Sequence, residues 1–417
     1  MNETPSPGDG GSLRARIAKG AAWIFGAVAV RQALRLVSSI VLTRLLLPDD
    51  FGLAVTAGLL LAFVEMCADF GIRQALVQHP EGGTTRFVDV AWSLAFWRSL
   101  GVSAVVLGLA WPFASLYQDE RLAPLVAMSA ALPLLQAACS PGRLAWMREL
   151  RQDRLNQLDL VADVARLPLN VLGALATGDA TGLVLAGIAT ELVRIAASYA
   201  MAPVRPRLVT DRQATGELLR YGRFVFAASI LGFFAVRLDQ FFVARFLGMD
   251  TAGVYSIALN MTTPIEGIVT SMLAGLLFPY LARFQGEPER IRLRMRQTMT
   301  ALVVYGAPAA GLAALAMPYA LVLLYDERYQ GAAAPCQWLI AAAYFTCIGT
   351  ALNCPLMATG RPHWGTIATG VRLVVFAVAA WFLGGHGAAG YAAAVAIAAV
   401  AFTGALAFVP WTVAKRA

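Results

Sequence analysis

Residues 42–52 read Leu42-Thr-Arg-Leu-Leu-Leu-Pro-Asp-Asp-Phe-Gly52, and a similar stretch returns 201 residues later as Val243-Ala-Arg-Phe-Leu-Gly-Met-Asp-Thr-Ala-Gly253. The register continues without a gap as far as residue 65. Its identities are Arg44/Arg245, Leu46/Leu247, Asp49/Asp250, Gly52/Gly253, Ala57/Ala258 and Glu65/Glu266. The charged and glycine matches are the informative ones, because matches between apolar residues are common in apolar sequences. Both copies lie in apolar stretches, so the repeat predicts a duplicated membrane protein.

The composition indicates that lipid surrounds this chain. Of its residues 59% are hydrophobic and only 14% are charged, which is more apolar than a soluble domain of this length needs. The apolar runs are continuous rather than alternating, so they predict helices and not the strands of a β-barrel. We expect an all-α integral membrane protein with about twelve spans. The predicted spans are 21–46, 52–78, 88–116, 122–146, 157–177, 181–202, 223–247, 252–281, 297–325, 332–359, 364–383 and 389–411.

The loops between these spans alternate in charge. Arginine and lysine are concentrated in every second loop, whereas the loops between carry Asp49, Asp119, Asp179, Asp250 and Asp326. Because cytoplasmic loops retain positive charge, both termini of this multi-pass protein are predicted to be cytoplasmic. This distribution also explains the net charge of +8 without a nucleic-acid partner. The predicted organisation is a disordered tail (1–12), an N-terminal six-helix lobe (13–202), a cytoplasmic linker (203–222) and a C-terminal six-helix lobe (223–417).

One cytoplasmic stretch is unusually basic. It reads Glu289-Arg-Ile-Arg-Leu-Arg-Met-Arg296. Two interpretations are open: a plain loop, or a short interfacial helix that places its arginines at anionic lipid headgroups.

Ionisable residues near the middle of the predicted spans are the candidates for function. Each costs roughly 2.5–3.5 kcal/mol in lipid, so each must face a partner or a water-filled cavity. Arg31 and Arg35 are four residues apart and share a helical face, as do Asp163 and Arg166. We expect five cations to bind an anionic cargo: Arg31, Arg35, Arg98, Arg237 and Arg372. We expect charge pairing or ion coupling from Glu65, Asp69, Glu266, Asp163, Arg166 and Asp239.

The repeat suggests how some of these charges are compensated. Glu65 and Glu266 are equivalent, so each can neutralise an arginine on the adjoining helix of its own half. Arg31, Arg98 and Arg372 would then supply the uncompensated positive potential.

Motifs of soluble enzymes are not found. The chain has no G-x-x-x-x-G-K-[ST] or H-E-x-x-H sequence, and its three histidines are too scattered to bind a metal together. We therefore expect no enzyme activity, no catalytic residues, no cofactor and no metal.

Three segments resemble one transporter family. The first segment leads from Lys19-Gly-Ala-Ala-Trp23 to residues 35–53, and the second is Asp69-Phe-Gly-Ile-Arg-Gln-Ala-Leu-Val77. The third begins with Arg237-Leu-Asp-Gln240 and continues to the stretch Gly248 to Tyr255. The chain is similar here to the polysaccharide or O-antigen flippases of the multidrug/oligosaccharidyl-lipid/polysaccharide superfamily, which also contains lipid II flippases and multidrug and toxin extruders. The resemblance implies two six-helix lobes around a central cavity. It also implies a location in the bacterial inner membrane and transfer of isoprenoid-diphosphate-linked oligosaccharide, such as O-antigen, capsule or exopolysaccharide units, from the cytoplasmic to the periplasmic leaflet.

We expect such a flippase to work by alternating access, with membrane lipids, glycosyltransferases and a polysaccharide polymerase as further partners. One alternative is a cation-coupled multidrug exporter of the same superfamily, which predicts a net acidic cavity. The other is a non-transporting scaffold of a glycan-assembly complex, which predicts a bundle without a cavity.

Overall fold

The computed structural model describes residues 26, 30–68, 76, 84–149, 151–209, 211–284 and 286–409, and within them every regular element is a helix. The N-terminal half contains α1 (30–45), α2 (Pro48–Cys67), α3 (Thr85–Tyr117), α4 (Leu122–Ser129), α5 (Ala131–Ala137), α6 (Gly142–Arg148), α7 (Gln152–Thr177) and α8 (Ala180–Met201). The C-terminal half contains α9 (Arg212–Leu247), α10 (Met249–Met272), α11 (Phe278–Arg283), α12 (Pro288–Ala301), α13 (Ala307–Leu324), α14 (Ala333–Ala358), α15 (His363–Leu383) and α16 (Gly387–Ala407). The predicted all-α fold class is confirmed. The predicted tail 1–12 lies outside the described residues.

Short irregular helical turns join some of these helices. Leu273–Leu277 and Leu302–Gly306 are π-helical and connect α10 to α11 and α12 to α13. In the described part of the chain, eight helical runs are long and apolar enough to span a membrane, or up to nine if one bent pair is a single span. One run, His363–Ala407, contains both α15 and α16, which pack against each other. The count of twelve spans is consistent with these helices and stays a prediction.

The fourth predicted span, 122–146, is not one continuous helix. Leu122–Ala137 and Gly142–Arg148 form a pair bent by 66°. Pro141 is the N-cap of α6. Because proline lacks an amide hydrogen and disfavours a helical conformation in the residue before it, the Ser140-Pro141 step favours a break between the two helices. Ser140 stabilises the break, because its hydroxyl donates to the carbonyl of Ala202 over 2.6 Å.

The connection between the halves is held against the N-terminal half. Residues 202–209 are not helical, and the Ser93 hydroxyl both donates to the Arg207 carbonyl and accepts from the Val209 amide. Arg86 at the start of α3 forms an ion pair with Asp211. The next helix, α9, begins immediately afterwards at Arg212.

The acidic loops meet at one end of the bundle, which we call the acidic end and define by Asp49, Asp119, Asp179, Asp250 and Asp326. Arg121 pairs there with both Asp49 and Asp119, and its hydrogen bonds hold the pKa of Asp119 below its usual value. The Tyr329 hydroxyl donates to the Leu46 carbonyl over 3.2 Å and so joins the halves at this end.

The two halves cross where α2 meets α10. A methyl group built on Gly52 would overlap the carbonyl oxygen of Met249, and one built on Gly253 would overlap the carbonyl oxygen of Pro48. Residues 48 and 249 are equivalent in the repeat, as are 52 and 253. The contact is therefore reciprocal, and it brings two backbones together as only glycine allows.

A second close approach between α7 and α8 generates a stability prediction. Cβ atoms on Gly173 and Gly182 would each overlap the carbonyl of the other, whereas Gly101 on α3 has open space around it. We expect Gly182→Ala to destabilise the protein by about 1–3 kcal/mol through overpacking. The matched control Gly101→Ala should be neutral or slightly stabilising, because alanine favours the helix. Thermal unfolding in detergent, monitored by size-exclusion chromatography, distinguishes the two variants. Equal melting temperatures would contradict the close contact between Gly173 and Gly182.

Candidate functional site

The N-terminal half contains a cavity of about 160 Å³, which we call the N-lobe cavity. Its charged lining is Arg31 and Arg35 from α1 with Asp163 and Arg166 from α7. The two arginines of α1 share a face because they are one helical turn apart. The sequence prediction that these two arginines lie together is matched by the geometry, and Arg166 joins them.

Carboxylates compensate only part of this positive charge. Arg31 lies 3.6 Å from Asp159, and Arg166 lies 3.6 Å from Asp163. Among the described residues, the three guanidinium groups of the lining thus have two neighbouring carboxylates, Asp163 in the lining and Asp159 beside Arg31. Arg35 is exposed, so the cavity retains a surplus of positive charge.

Neutral polar groups complete the wall of the N-lobe cavity. The Asn170 amide donates to the Ser38 hydroxyl over 3.1 Å. Asn260 reaches the same cavity from α10 of the other half. These amides and hydroxyls offer both hydrogen-bond donors and hydrogen-bond acceptors.

A buried ion pair lies behind this cavity on α8. Glu191 and Arg194 are 3.1 Å apart and largely buried. One carboxylate oxygen of Glu191 and the Nε of Arg194 have no hydrogen-bond partner. The burial of this pair away from the cavity lining favours a structural role for it.

The C-terminal half contains a second cavity of about 70 Å³, the C-lobe cavity. Asp239 of α9, Glu266 of α10 and Arg372 of α15 line it together. Asp239 is buried and accepts a hydrogen bond of 2.6 Å from the Tyr255 hydroxyl. Two carboxylates here face one guanidinium, so this cavity has the opposite balance of charge from the N-lobe cavity.

Two of the predicted cavity cations have neighbours that the sequence did not indicate. Arg372 shares the C-lobe cavity with Asp239 and Glu266. Arg237 donates to Gln240 over 3.3 Å. The rotation of α9 turns Asp239 towards Tyr255 and leaves Arg237 exposed.

The remaining predicted residues lie elsewhere. Arg98 does not join Arg31 and Arg35 but lines a separate cavity of about 90 Å³ beside the bent helix pair. Glu65 is half-buried on α2. Asp69 lies outside the described residues.

Sequence reasoning missed several lining residues. Arg143 faces the same cavity as Arg98, but it lies near the end of the predicted span 122–146, whereas the candidates were chosen from the middle of the spans. Asn170 and Asn260 were missed because they carry no charge, although asparagine within an apolar span is itself a detectable signal. Among the described residues no group of three or more histidine, cysteine, aspartate or glutamate side chains could hold a metal.

Comparison with known proteins identifies the family. Residues 41–334 match the family described as "Polysaccharide biosynthesis protein". This chain belongs to that family. The match covers well over half of the chain and includes both copies of the repeat, so the predicted family is confirmed.

Individual relatives agree with this assignment. The chain is 23% identical to the lipopolysaccharide biosynthesis protein WzxC of Escherichia coli (strain K12) over 357 residues, which cover 84% of this chain and 71% of WzxC. It is 27% identical to the succinoglycan biosynthesis transport protein ExoT of Rhizobium meliloti (strain 1021) over 301 residues, or 70% and 60% of the two chains.

Solved structures share the fold. The lipid II flippase MurJ in an inward closed conformation aligns with a TM-score of 0.70 at 10% identity, covering 92% of this chain and 87% of MurJ. A multidrug resistance MATE family transporter in an inward-facing conformation aligns with a TM-score of 0.67 at 14% identity, covering 90% and 92%. The family member described here therefore has the fold of the multidrug/oligosaccharidyl-lipid/polysaccharide superfamily.

The hydrogen bond between Tyr255 and Asp239 generates a prediction. Tyr255→Phe removes the only side-chain donor that the described residues direct at this buried carboxylate. We expect a loss of about 1–3 kcal/mol in stability, because an unsatisfied buried acceptor costs that much. Tyr319→Phe, at a position that is 79% exposed, is the matched control. Thermal unfolding in detergent checks the difference, and an unchanged melting temperature for Tyr255→Phe would contradict it.

Proposed function

We propose that this protein is a flippase that transfers isoprenoid-diphosphate-linked oligosaccharide from the cytoplasmic to the periplasmic leaflet of a bacterial inner membrane. The observation that carries the proposal is the N-lobe cavity, in which Arg31, Arg35 and Arg166 face two carboxylates. Membership of a polysaccharide biosynthesis family supports the class of cargo. The name of ExoT, a succinoglycan biosynthesis transport protein, supports transport as the activity.

The cavity suits the chemistry of such a cargo. Guanidinium groups bind phosphate oxygens in planar, bidentate pairs, so the exposed Arg35 with Arg31 can receive a diphosphate. Asn170, Ser38 and Asn260 supply neutral hydrogen-bonding groups beside it for sugars. The isoprenoid chain needs no protein site, since it can remain in the lipid between the two halves.

The crossing of α2 and α10 suggests how the two halves move during transport. With Gly52 and Gly253 packed on the opposite backbone, the acidic end is closed. We assign this end to the periplasm and the arginine-rich end to the cytoplasm, as the positive-inside rule requires. Separation of the two glycine contacts would open the acidic end and expose the N-lobe cavity to the periplasm, which is alternating access.

The two alternatives are less well supported. A scaffold without transport needs a solid bundle, whereas a cavity lies between Arg31, Arg35 and Asn260. A drug exporter for organic cations needs a net acidic site, and the N-lobe cavity is basic.

The C-lobe cavity, with Asp239 and Glu266, is our candidate for ion coupling. Glycosyltransferases and a polymerase remain the proposed partners.

Replacement of the two α1 arginines tests the proposal. Arg31→Gln with Arg35→Gln should lower surface polysaccharide at least about tenfold, because each charge-assisted hydrogen bond to phosphate contributes about 1.5–3 kcal/mol. The measurement is polymer at the cell surface, normalised to the amount of protein in the membrane.

Two controls accompany this variant. Arg205→Gln with Arg207→Gln removes the same charge from the exposed connection between the halves and should leave export intact. Arg31→Lys with Arg35→Lys should retain part of it. Wild-type polymer levels in the double glutamine variant would refute cargo binding by these arginines.

The glycine crossing provides a test of alternating access. Gly52→Ala or Gly253→Ala should disfavour the closed acidic end by about 1–3 kcal/mol, as overpacking does. In a cysteine-free background, Ser38→Cys in the N-lobe cavity should then react several-fold faster with a membrane-impermeant maleimide added from the periplasm.

Matched glycines lie on the same helices. Gly58 on α2 and Gly267 on α10 have open space around them, so Gly58→Ala and Gly267→Ala should leave the labelling rate unchanged. Equal rates in all four variants would show that the crossing does not control access.

A further inference from the structure

The basic stretch that follows α11 forms a regular helix rather than a loop. It is α12, Pro288–Ala301, and it continues through the π-helical turn into α13, so that the run Pro288–Leu324 has 37 residues. At 1.5 Å per residue this run is roughly 55 Å long, well beyond the roughly 30 Å of a hydrocarbon core. Because the apolar part of this run lies in α13, a hydrocarbon core that covers α13 leaves α12 outside it.

One face of α12 is anchored in the protein. Ile291 and Met295, one turn apart, are buried in an apolar cluster with Leu281 of α11 and Leu356 of α14. This packing fixes the rotation of α12 about its axis, and the remaining faces point away from the bundle.

The arginines of α12 form two stripes beside the buried face. Arg290 and Arg294 make one stripe, and Arg292 and Arg296 make the other, since residues four apart share a face. The guanidinium of Arg290 lies 5.1 Å from the ring of Phe284, and that of Arg294 lies 5.4 Å from the ring of Tyr280. Stacking on aromatic rings holds the guanidinium groups of this first stripe in place.

Charge compensation on this surface is incomplete. Arg290 pairs with Glu287 over 2.8 Å, and Arg292 approaches Glu289 only to 3.9 Å. Residues 283–296 contain five arginines and two glutamates, a surplus of three positive charges. The side chain of Arg292 is 69% exposed, so this positive charge faces the surroundings of the protein.

The neighbourhood of α12 indicates what meets that charge. Leu293 lies between the two stripes and is 58% exposed, and α13 below it exposes Leu312, Leu315 and Tyr319 along a peripheral face. An exposed apolar residue between two stripes of arginine, on a helix that continues into a lipid-facing helix, is typical of an interfacial helix. We infer that α12, with Arg290, Arg292, Arg294 and Arg296, is a binding surface for anionic phospholipid headgroups of the leaflet at the arginine-rich end.

Binding of phosphatidylglycerol to the detergent-solubilised full-length protein tests this surface. Native mass spectrometry should detect phosphatidylglycerol bound several-fold more tightly than phosphatidylcholine of the same acyl chains. Arg294→Gln with Arg296→Gln removes one arginine from each stripe and should weaken phosphatidylglycerol binding about tenfold. Arg294→Lys with Arg296→Lys should restore most of it.

The control is Arg205→Gln with Arg207→Gln, which removes two charges from the same end of the protein. It should keep wild-type affinity for phosphatidylglycerol. Equal affinity for the two lipids, or equal losses in the glutamine variant and the control, would overturn the assignment. The assay measures no transport, so its outcome is independent of the proposed flippase activity.

Discussion

The reciprocal packing of two glycines on two backbone carbonyls is the constraint on which the arrangement of the halves depends. Gly52 lies against Met249 and Gly253 against Pro48, and no other residue type allows helices to approach so closely. The acidic loops gather around this crossing, and Tyr329 and Arg328 add hydrogen bonds to the carbonyls of Leu46 and Thr43. The two halves contribute equivalent helices, α2 and α10, so the crossing of these helices closes the acidic end symmetrically.

Away from this crossing the halves are chemically unequal. The N-lobe cavity contains more guanidinium than carboxylate groups, whereas the C-lobe cavity contains more carboxylates than guanidinium groups. In a low-dielectric membrane interior, a difference of one charge is enough to change which ligands a cavity accepts. The two cavities have therefore diverged in charge on a duplicated frame, and we propose the first as the site for an anionic headgroup.

Different interactions organise the opposite, arginine-rich end of the protein. Hydrogen bonds from Ser93 and Ser140 hold the connection between the halves against the N-terminal half, while α12 packs through Ile291 and Met295 and presents arginines outward. The closed acidic end is thus held by direct contact between the halves. The arginine-rich end contains the connection between the halves and the surface of α12 that we assign to lipid headgroups.

The sequence by itself determined the membrane class, the helical composition, the repeat and the family, because these depend on residue composition and local spacing. It also predicted that Arg31 and Arg35 share a site, since a spacing of four fixes a common helical face. Only the tertiary structure decided that Arg166 joins them, that Arg98 lies in another cavity and that Arg372 is compensated by Asp239 and Glu266. Those outcomes depend on how each helix is rotated and where helices cross. Crossings are set by contacts between residues far apart in the chain, such as Gly52 with Met249.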